Sequence, residues 1–213
     1  MKLEFVDTPA SGQDVLVLQD LGKRFGARVL FEEVSLVLRR GEHVVLIGAN
    51  GTGKTTLLRI ITGEQPPSQG SVRLGANVRW GYLSQEQEGL DPTLTPLEVV
   101  QRTATANETD ARSFLHYYLF AGDDVFTPIA KLSYGERARL ALGLLVLGGC
   151  NLLLLDEPIN HLDIPSRERF ERALNSFEGT VLAVVHDRYF IERFASGIWA
   201  LEGRRIRPYV DLT

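Results

Sequence analysis

Cysteine is almost absent from this 213-residue sequence, where Cys150 stands alone. An internal disulfide is therefore excluded, and the apolar residues around Cys150 predict a buried thiol in a reducing compartment. Lysine is also scarce, occurring only at positions 2, 23, 54 and 131, so most of the 23 basic residues are arginines. The formal net charge of -4 and the pI near 5.6 give no overall attraction to nucleic acid or to an anionic membrane. Only local arginine patches remain for such a role.

Long hydrophobic runs are missing as well. The longest, residues 140–155, is broken by Gly143, Gly148, Gly149 and Asn151 and falls short of the ~20 residues a membrane helix needs. It predicts a buried helix followed by a buried strand. Met1-Lys2-Leu3-Glu4-Phe5 lacks the apolar core of a secretory signal, so the expected location is the cytoplasm. Repeats and low-complexity segments are absent. A hydrophobic content of 44% over this length suits one domain carrying a subdomain or insertion better than two independent domains.

What is present is organised around three aliphatic runs: Val44-Val45-Leu46-Ile47, Leu152-Leu153-Leu154-Leu155 and Val181-Leu182-Ala183-Val184-Val185. Without polar alternation they read as parallel strands buried on both faces. Each leads into a polar or glycine-rich turn, at Gly48, at Asp156-Glu157 and at His186-Asp187. In open α/β sheets the binding crevice lies at such carboxyl ends. Residues 15–18, 33–38, 72–74 and 78–83 are shorter strand candidates that predict an antiparallel sheet beside the parallel one. Over residues 86–131 the pattern turns helical. Thr95-Pro96-Leu97-Glu98 supplies an N-cap, a proline at the first helical position and a capping-box glutamate. Ala111, Phe114, Leu115, Tyr118 and Leu119 form an apolar face, and Gly122 is placed to end that helix. The expected fold class is α/β with a helical insertion.

Two motifs carry chemistry. Gly48-Ala49-Asn50-Gly51-Thr52-Gly53-Lys54-Thr55 fits G-x-x-x-x-G-K-[ST] between a strand and a helix over residues 55–61. Its glycines let successive backbone amides turn inward around phosphate oxygens, reinforced by the positive end of the helix. Lys54 is placed to reach the β- and γ-phosphates, and the Thr55 hydroxyl to bind Mg²⁺. The alternative, a turn that merely links strand to helix, sits poorly with both flanking elements. The second motif is Asp156-Glu157 at the end of an aliphatic run. Asp156 there can hold Mg²⁺ through water, and Glu157 can polarise a water. The alternative is a pair that caps a strand in solvent.

Leu132-Ser133-Tyr134-Gly135-Glu136 resembles the LSGGE signature of the ABC ATPases, with Tyr134 where a glycine is usual. Gln85, in Tyr82-Leu83-Ser84-Gln85, resembles the family's Q-loop glutamine. Asn160-His161-Leu162-Asp163 resembles its D-loop, His186 its switch histidine, and Phe25 the aromatic residue that stacks on adenine. The resemblance covers nearly the whole chain in the family's order. It implies one cassette over residues 1–213, with a P-loop NTPase core, an antiparallel β subdomain and a helical subdomain at about residues 86–143. It implies ATP and Mg²⁺ as cofactors. Phe25, Gly48, Ala49, Asn50, Gly51, Thr52, Gly53, Lys54, Thr55, Thr56 and Gln85 would bind the nucleotide. Ser133, Gly135 and Glu136 would face the γ-phosphate held by a second cassette. Thr55, Gln85 and Asp156 would hold the metal. Glu157 would polarise the attacking water, His186 would hold the γ-phosphate, and Lys54 would stabilise charge. Ser133-x-x-Glu136 is also a plain capping box, and the two uses are compatible.

Glu157-Pro158-Ile159-Asn160-His161-Leu162-Asp163 resembles the EPTNHLD string of the ABC-F branch, with Ile159 replacing threonine. Val185-His186-Asp187-Arg188-Tyr189-Phe190 resembles its SHDRxF string, with Val185 replacing serine, and the signature helix through Leu140 is similar too. Members of that branch carry two cassettes in one chain and act on ribosomes, in translation or antibiotic protection. The chain resembles their second cassette, so it is expected to be part of a longer protein or a single-cassette relative. Ribosomal or RNA contact is expected through regions outside it. The implied function is hydrolysis of ATP to ADP and phosphate in a head-to-tail two-cassette sandwich. Two other readings stand beside it. A nucleotide-binding subunit of an ABC transporter is disfavoured by Asn160-His161-Leu162-Asp163 and His186-Asp187-Arg188. A non-hydrolysing ATP-gated clamp is disfavoured by Glu157 and His186.

Overall fold

The computed structural model describes residues 10–85, 89–160 and 162–209. In chain order the elements are strands β1 (Asp14–Phe25), β2 (Arg28–Arg39) and β3 (His43–Gly48), helix α1 (Lys54–Ile61), and strands β4 (Gln69–Leu74) and β5 (Trp80–Leu83). Helices α2 (Pro96–Ala104), α3 (Glu108–Tyr117) and α4 (Tyr134–Leu147) follow. The chain continues through β6 (Leu152–Asp156), α5 (Ile164–Asn175), β7 (Thr180–Val184), α6 (Arg188–Phe194), β8 (Gly197–Glu202) and β9 (Arg205–Tyr209). These elements form an α/β fold divided into two units.

The first unit holds residues 10–82, 151–157 and 179–209. Its six-stranded sheet has the order β5-β6-β7-β3-β8-β9. The pairs β6/β7, β7/β3 and β3/β8 are parallel, while β9 closes antiparallel on β8. The three aliphatic runs are thus neighbours, and every residue of β6 and β7 is buried. A three-stranded antiparallel sheet, β2-β1-β4, stands with them. Leu16, Leu18 and Phe31 of that sheet share one core with Leu46, Leu154 and Leu182 of the larger sheet and with Leu57 and Leu58 of α1. Fully burying a leucine contributes about 1.5–3 kcal/mol, so this shared cluster is what fixes the ends of β3, β6 and β7 beside α1.

Two strand expectations are corrected. Residues 78–83 do not join the antiparallel sheet, because β5 lies beside β6 at the edge of the larger one. The amides of Asn151 and Leu152 both donate to the Arg79 carbonyl, at 2.8 and 3.2 Å, and lock that placement. The strands read at 15–18 and 33–38 extend to twelve residues each. Register shifts between Leu18 and Leu21, with positive φ at Asp20 and Glu33, absorb the polar interruptions as bulges.

The second unit holds residues 83–85, 89–150, 158–160 and 162–178 and is helical. Thr95 caps α2 in the expected capping box, with Pro96 in the first turn. Asn107 caps α3, whose Ala111, Phe114 and Leu115 are buried. This helix ends at Tyr117 rather than running on to Gly122, since Leu119 takes a left-handed φ of 63°. Gly122 instead opens a short 3-10 turn, Gly122–Phe126. Helix α4 packs against α5 at Gly135, where an added Cβ would lie 2.8 Å from Cβ of Ser166. Cys150 is half-buried rather than buried, because it sits in the turn just after α4, its amide donating to the Leu145 carbonyl. Among the described residues no helix is long and apolar enough to cross a membrane.

Candidate nucleotide site

The carboxyl end of β3 runs through residues 49–53 directly into α1. Gly53 caps that helix with a left-handed φ of 113°, no side-chain cap and no acid in the first turn. Helices α2 to α6, by contrast, each carry a side-chain cap, at Thr95, Asn107, Ser133, Asp163 and Asp187. The first amides of α1 are therefore open to an external acceptor, and the helix dipole favours an anion there. Lys54 is only 5% exposed, and its Nζ donates to the carbonyls of Gly48 at 2.9 Å and Ala49 at 3.0 Å. Burial lowers the Lys54 pKa, against the opposing pull of Glu157 and Asp156. A desolvated ammonium beside an uncapped helix start is the donor set that phosphate oxygens match. Thr52 closes the loop by donating to the Ala49 carbonyl at 2.8 Å. Asn50 and Gly51 are exposed at its tip, and Thr55 and Thr56 are half-buried on the first turn of α1.

The two carboxylates at the end of β6 diverge. Asp156 is 3% exposed, with Thr55 donating to Oδ1 and Tyr82 to Oδ2, both at 3.2 Å. Burial pushes its carboxyl pKa up; the two hydroxyl donors pull it back, and the charge of Glu157 adds to the rise. Burial, followed by the Asp156 charge, holds the Tyr82 phenol well above its ordinary range. Glu157 turns out of the strand with φ 53°, a sparsely populated conformation for a non-glycine residue. Its amide donates to the Val184 carbonyl at 3.0 Å, and its Oε1 lies 3.4 Å from Nε2 of His186. Among the described residues no group of three or more His, Cys, Asp and Glu gathers as a metal cluster. A single buried carboxylate next to a threonine hydroxyl suits Mg²⁺, which keeps several waters and takes few protein ligands.

Phe25 ends β1 with 51% exposure, so it is not a core residue. The Lys23 ammonium sits 4.8 Å from its ring centroid while donating to the Pro66 carbonyl at 2.7 Å, a cation–π contact that steadies the ring. Arg28 faces Phe25 across the hairpin and donates to the Gly51 carbonyl at 2.7 Å. The hairpin is thereby tied to the tip of the glycine-rich loop between β3 and α1.

Gln85, Ser133, Gly135 and Glu136 belong to the helical unit. Gln85 is exposed, and its carbonyl accepts from the Tyr134 hydroxyl. Ser133 and Glu136 form the capping box of α4, the carboxylate accepting from the Ser133 amide and hydroxyl, both at 2.7 Å. Burial alone would raise the Glu136 pKa, but those hydrogen bonds, with Arg139 and Arg169, outweigh it and hold the carboxyl low. Gly135 is buried against Leu162 and Ser166. Asp163 caps α5 by accepting from the Ser166 amide at 2.8 Å, and His161 lies outside the described residues. Sequence reasoning did not single out Tyr82 or Arg28. Tyr82 carries a faint signal, standing three residues before Gln85 at a strand end.

A phosphate-type loop, paired carboxylates and a facing histidine at the ends of parallel strands define a nucleotide-binding cassette. Residues 31–160 match the family model described as ABC transporter, and the chain belongs to that family. More particularly, its relatives are of the F type. It is 44% identical to the protein YdiF of Bacillus subtilis (strain 168) over 95% of this chain and 32% of that protein. It is 39% identical to ABC transporter F family member 5 of Arabidopsis thaliana over 98% of this chain and 31% of that one. Identity to the ribosome protection protein VmlR of Bacillus subtilis (strain 168) is 39%, over 87% of this chain and 34% of that protein. The chain spans about a third of the length of these curated relatives. Among solved structures, the dimeric bacterial ABC transporter cassette MJ0796 superposes with a TM-score of 0.75 at 23% identity, covering 92% of this chain and 98% of that one. That likeness establishes the shared fold.

Proposed function

We propose that this chain, over residues 1–213, is one cassette of a two-cassette ABC-F-type ATPase. It hydrolyses ATP to ADP and phosphate with Mg²⁺, with the helical subdomain near residues 86–143 facing a second cassette. One observation carries this reading: the buried Lys54, the Thr55–Asp156 hydrogen bond and the Glu157–His186 pair converge at the ends of β3, β6 and β7. The open helix start supports nucleotide binding, and the groups that flank it support a reaction.

Thr55 and Asp156, with Gln85 completing the set, are the residues assigned to Mg²⁺, which when bound neutralises charge on the phosphates. Glu157, turned out of its strand, accepts the proton of the attacking water. His186 steadies Glu157 and reaches the γ-phosphate. Lys54 and the loop amides stabilise charge on the β- and γ-oxygens, where preorganised donors act most strongly. Phe25 stacks on adenine, backed by Lys23. Ser133, Gly135 and Glu136 serve the nucleotide of the second cassette. The name of VmlR speaks of ribosome protection. We extend a cytoplasmic, ribosome-linked role to the longer protein of which this chain would be a part, with ribosomal contact made outside these residues.

The direct test is the Lys54→Ala variant in equilibrium binding with ATP. Removal of the buried cation should weaken ATP binding at least tenfold, equivalent to about 1.4 kcal/mol. Binding as tight as the parent's would overturn the phosphate-loop assignment.

A further inference from the structure

The signature-like string departs from the family pattern at Tyr134, and the structure gives that departure a contact. The Tyr134 hydroxyl donates to the main-chain carbonyl of Gln85 at 2.5 Å, joining positions 49 residues apart within the helical unit. The neighbouring position explains why a large side chain stands at 134 and not at 135. A Cβ on Gly135 would meet Ser166 at 2.8 Å and Leu162 at 3.2 Å, so that face of α4 is closed. Tyr134, the first residue of the helix, is half-buried and leads away toward residue 85.

The two ends of this contact differ in how firmly they are held. The start of α4 is fixed by the reciprocal Ser133–Glu136 capping box. Beneath it lies Arg139, 1% exposed, donating to the carbonyls of Tyr118 at 3.1 Å and Gly135 at 3.5 Å. Gln85 is exposed and lies two residues past the end of β5. A hydrogen bond from a fixed phenol to an exposed loop carbonyl restricts the loop, not the helix.

We propose that Tyr134 is a positioning residue for the nucleotide reaction, pinning the main chain of Gln85 to the start of α4. The glutamine assigned to Mg²⁺ and the helix start assigned to the second cassette are then held as one piece. This rests on the role given to Gln85 above. Where glycine occupies this position the tether is missing, so Tyr134 acts through Gln85 and not on the nucleotide itself.

Tyr134→Phe removes the hydroxyl and keeps the ring. In the full chain, hydrogen exchange of peptides containing Ser84 and Gln85 should quicken severalfold, with exchange in α4 unchanged. Unchanged exchange around Gln85 would overturn the tether. In ATP hydrolysis, the Mg²⁺ concentration for half-maximal rate should rise roughly threefold in Tyr134→Phe, as loss of one net hydrogen bond allows. It should rise no further when Tyr134→Phe is added to Gln85→Ala, because residues acting in series are not additive. Additive effects would mean that Tyr134 does not work through Gln85, and would overturn the positioning role. If Gln85→Ala alone leaves the Mg²⁺ dependence unmoved, the metal role of Gln85 fails, and with it the reaction half of the proposal. The exchange measurement still decides the tether in that case.

Discussion

Glu157 Oε1 lies 3.4 Å from Nε2 of His186, across the ends of the adjacent parallel strands β6 and β7. The backbone makes this pairing. A left-handed φ at Glu157 swings its side chain out of line with β6, while its amide stays bonded to Val184. One residue earlier, Asp156 remains buried with both carboxylate oxygens bonded to hydroxyls. Consecutive carboxylates thus occupy unlike environments, the condition under which they take separate roles.

Glu157→Gln keeps the size of the side chain and removes its charge. ATP hydrolysis should slow by roughly 10²-fold or more, the range for a lost general base, while ATP binding persists and an ATP-bound dimer accumulates. Phosphate release under single-turnover conditions, with nucleotide retention measured alongside, reads both. Unchanged turnover would assign the proton-accepting role elsewhere.

Asp156 should act against stability at neutral pH. Burial raises its pKa in the folded chain above the ordinary 3.8. Its favourable contribution is therefore present below that ordinary value and is lost as pH rises through the raised one. Asp156→Asn should raise the thermal midpoint of the nucleotide-free chain at pH 7 by about 2 °C or more, and the gain should shrink as the medium is acidified. The Mg²⁺ dependence of ATP binding should disappear in the same variant. A lowered midpoint at pH 7 would mean that the Thr55 and Tyr82 hydrogen bonds outweigh burial.

Gly135→Ala tests packing apart from nucleotide. The added methyl would meet Ser166 at 2.8 Å, and overpacking of this kind costs about 1–3 kcal/mol. The denaturation midpoint should fall with the m-value unchanged. Parental stability would mean that α5 yields at Ser166.

The strands that build the site are legible in the sequence for a physical reason. A strand buried on both faces, like β6 or β7, shows as an unbroken aliphatic run. β1 and β2 are legible only in part, because bulges near Asp20 and Glu33 break the two-residue alternation. β5 is visible as a strand, but not its sheet, since its lock on β6 runs through the Arg79 carbonyl and leaves no side-chain pattern. The glycine-rich loop between β3 and α1 is legible because its residues are contiguous. Tyr82 and Arg28 are not, because their partners Asp156 and Gly51 are 74 and 23 residues away. The capping boxes at Thr95 and Ser133 are fully local, and the sequence places both where the structure has them.

The central claim is that this site is completed by a second cassette. Ser133, Gly135 and Glu136 are assigned to a nucleotide held by a partner, so a single chain leaves its phosphate loop without a second wall and open to water, which weakens charge stabilisation. Two copies arranged head to tail would form two such sites with closed two-fold symmetry. The most direct measurement is the specific ATPase activity of the purified chain across a hundredfold dilution, with Ser133→Arg as the variant that blocks the shared surface. Activity should rise with protein concentration and collapse in Ser133→Arg. A flat profile, indifferent to that substitution, would contradict the two-cassette account.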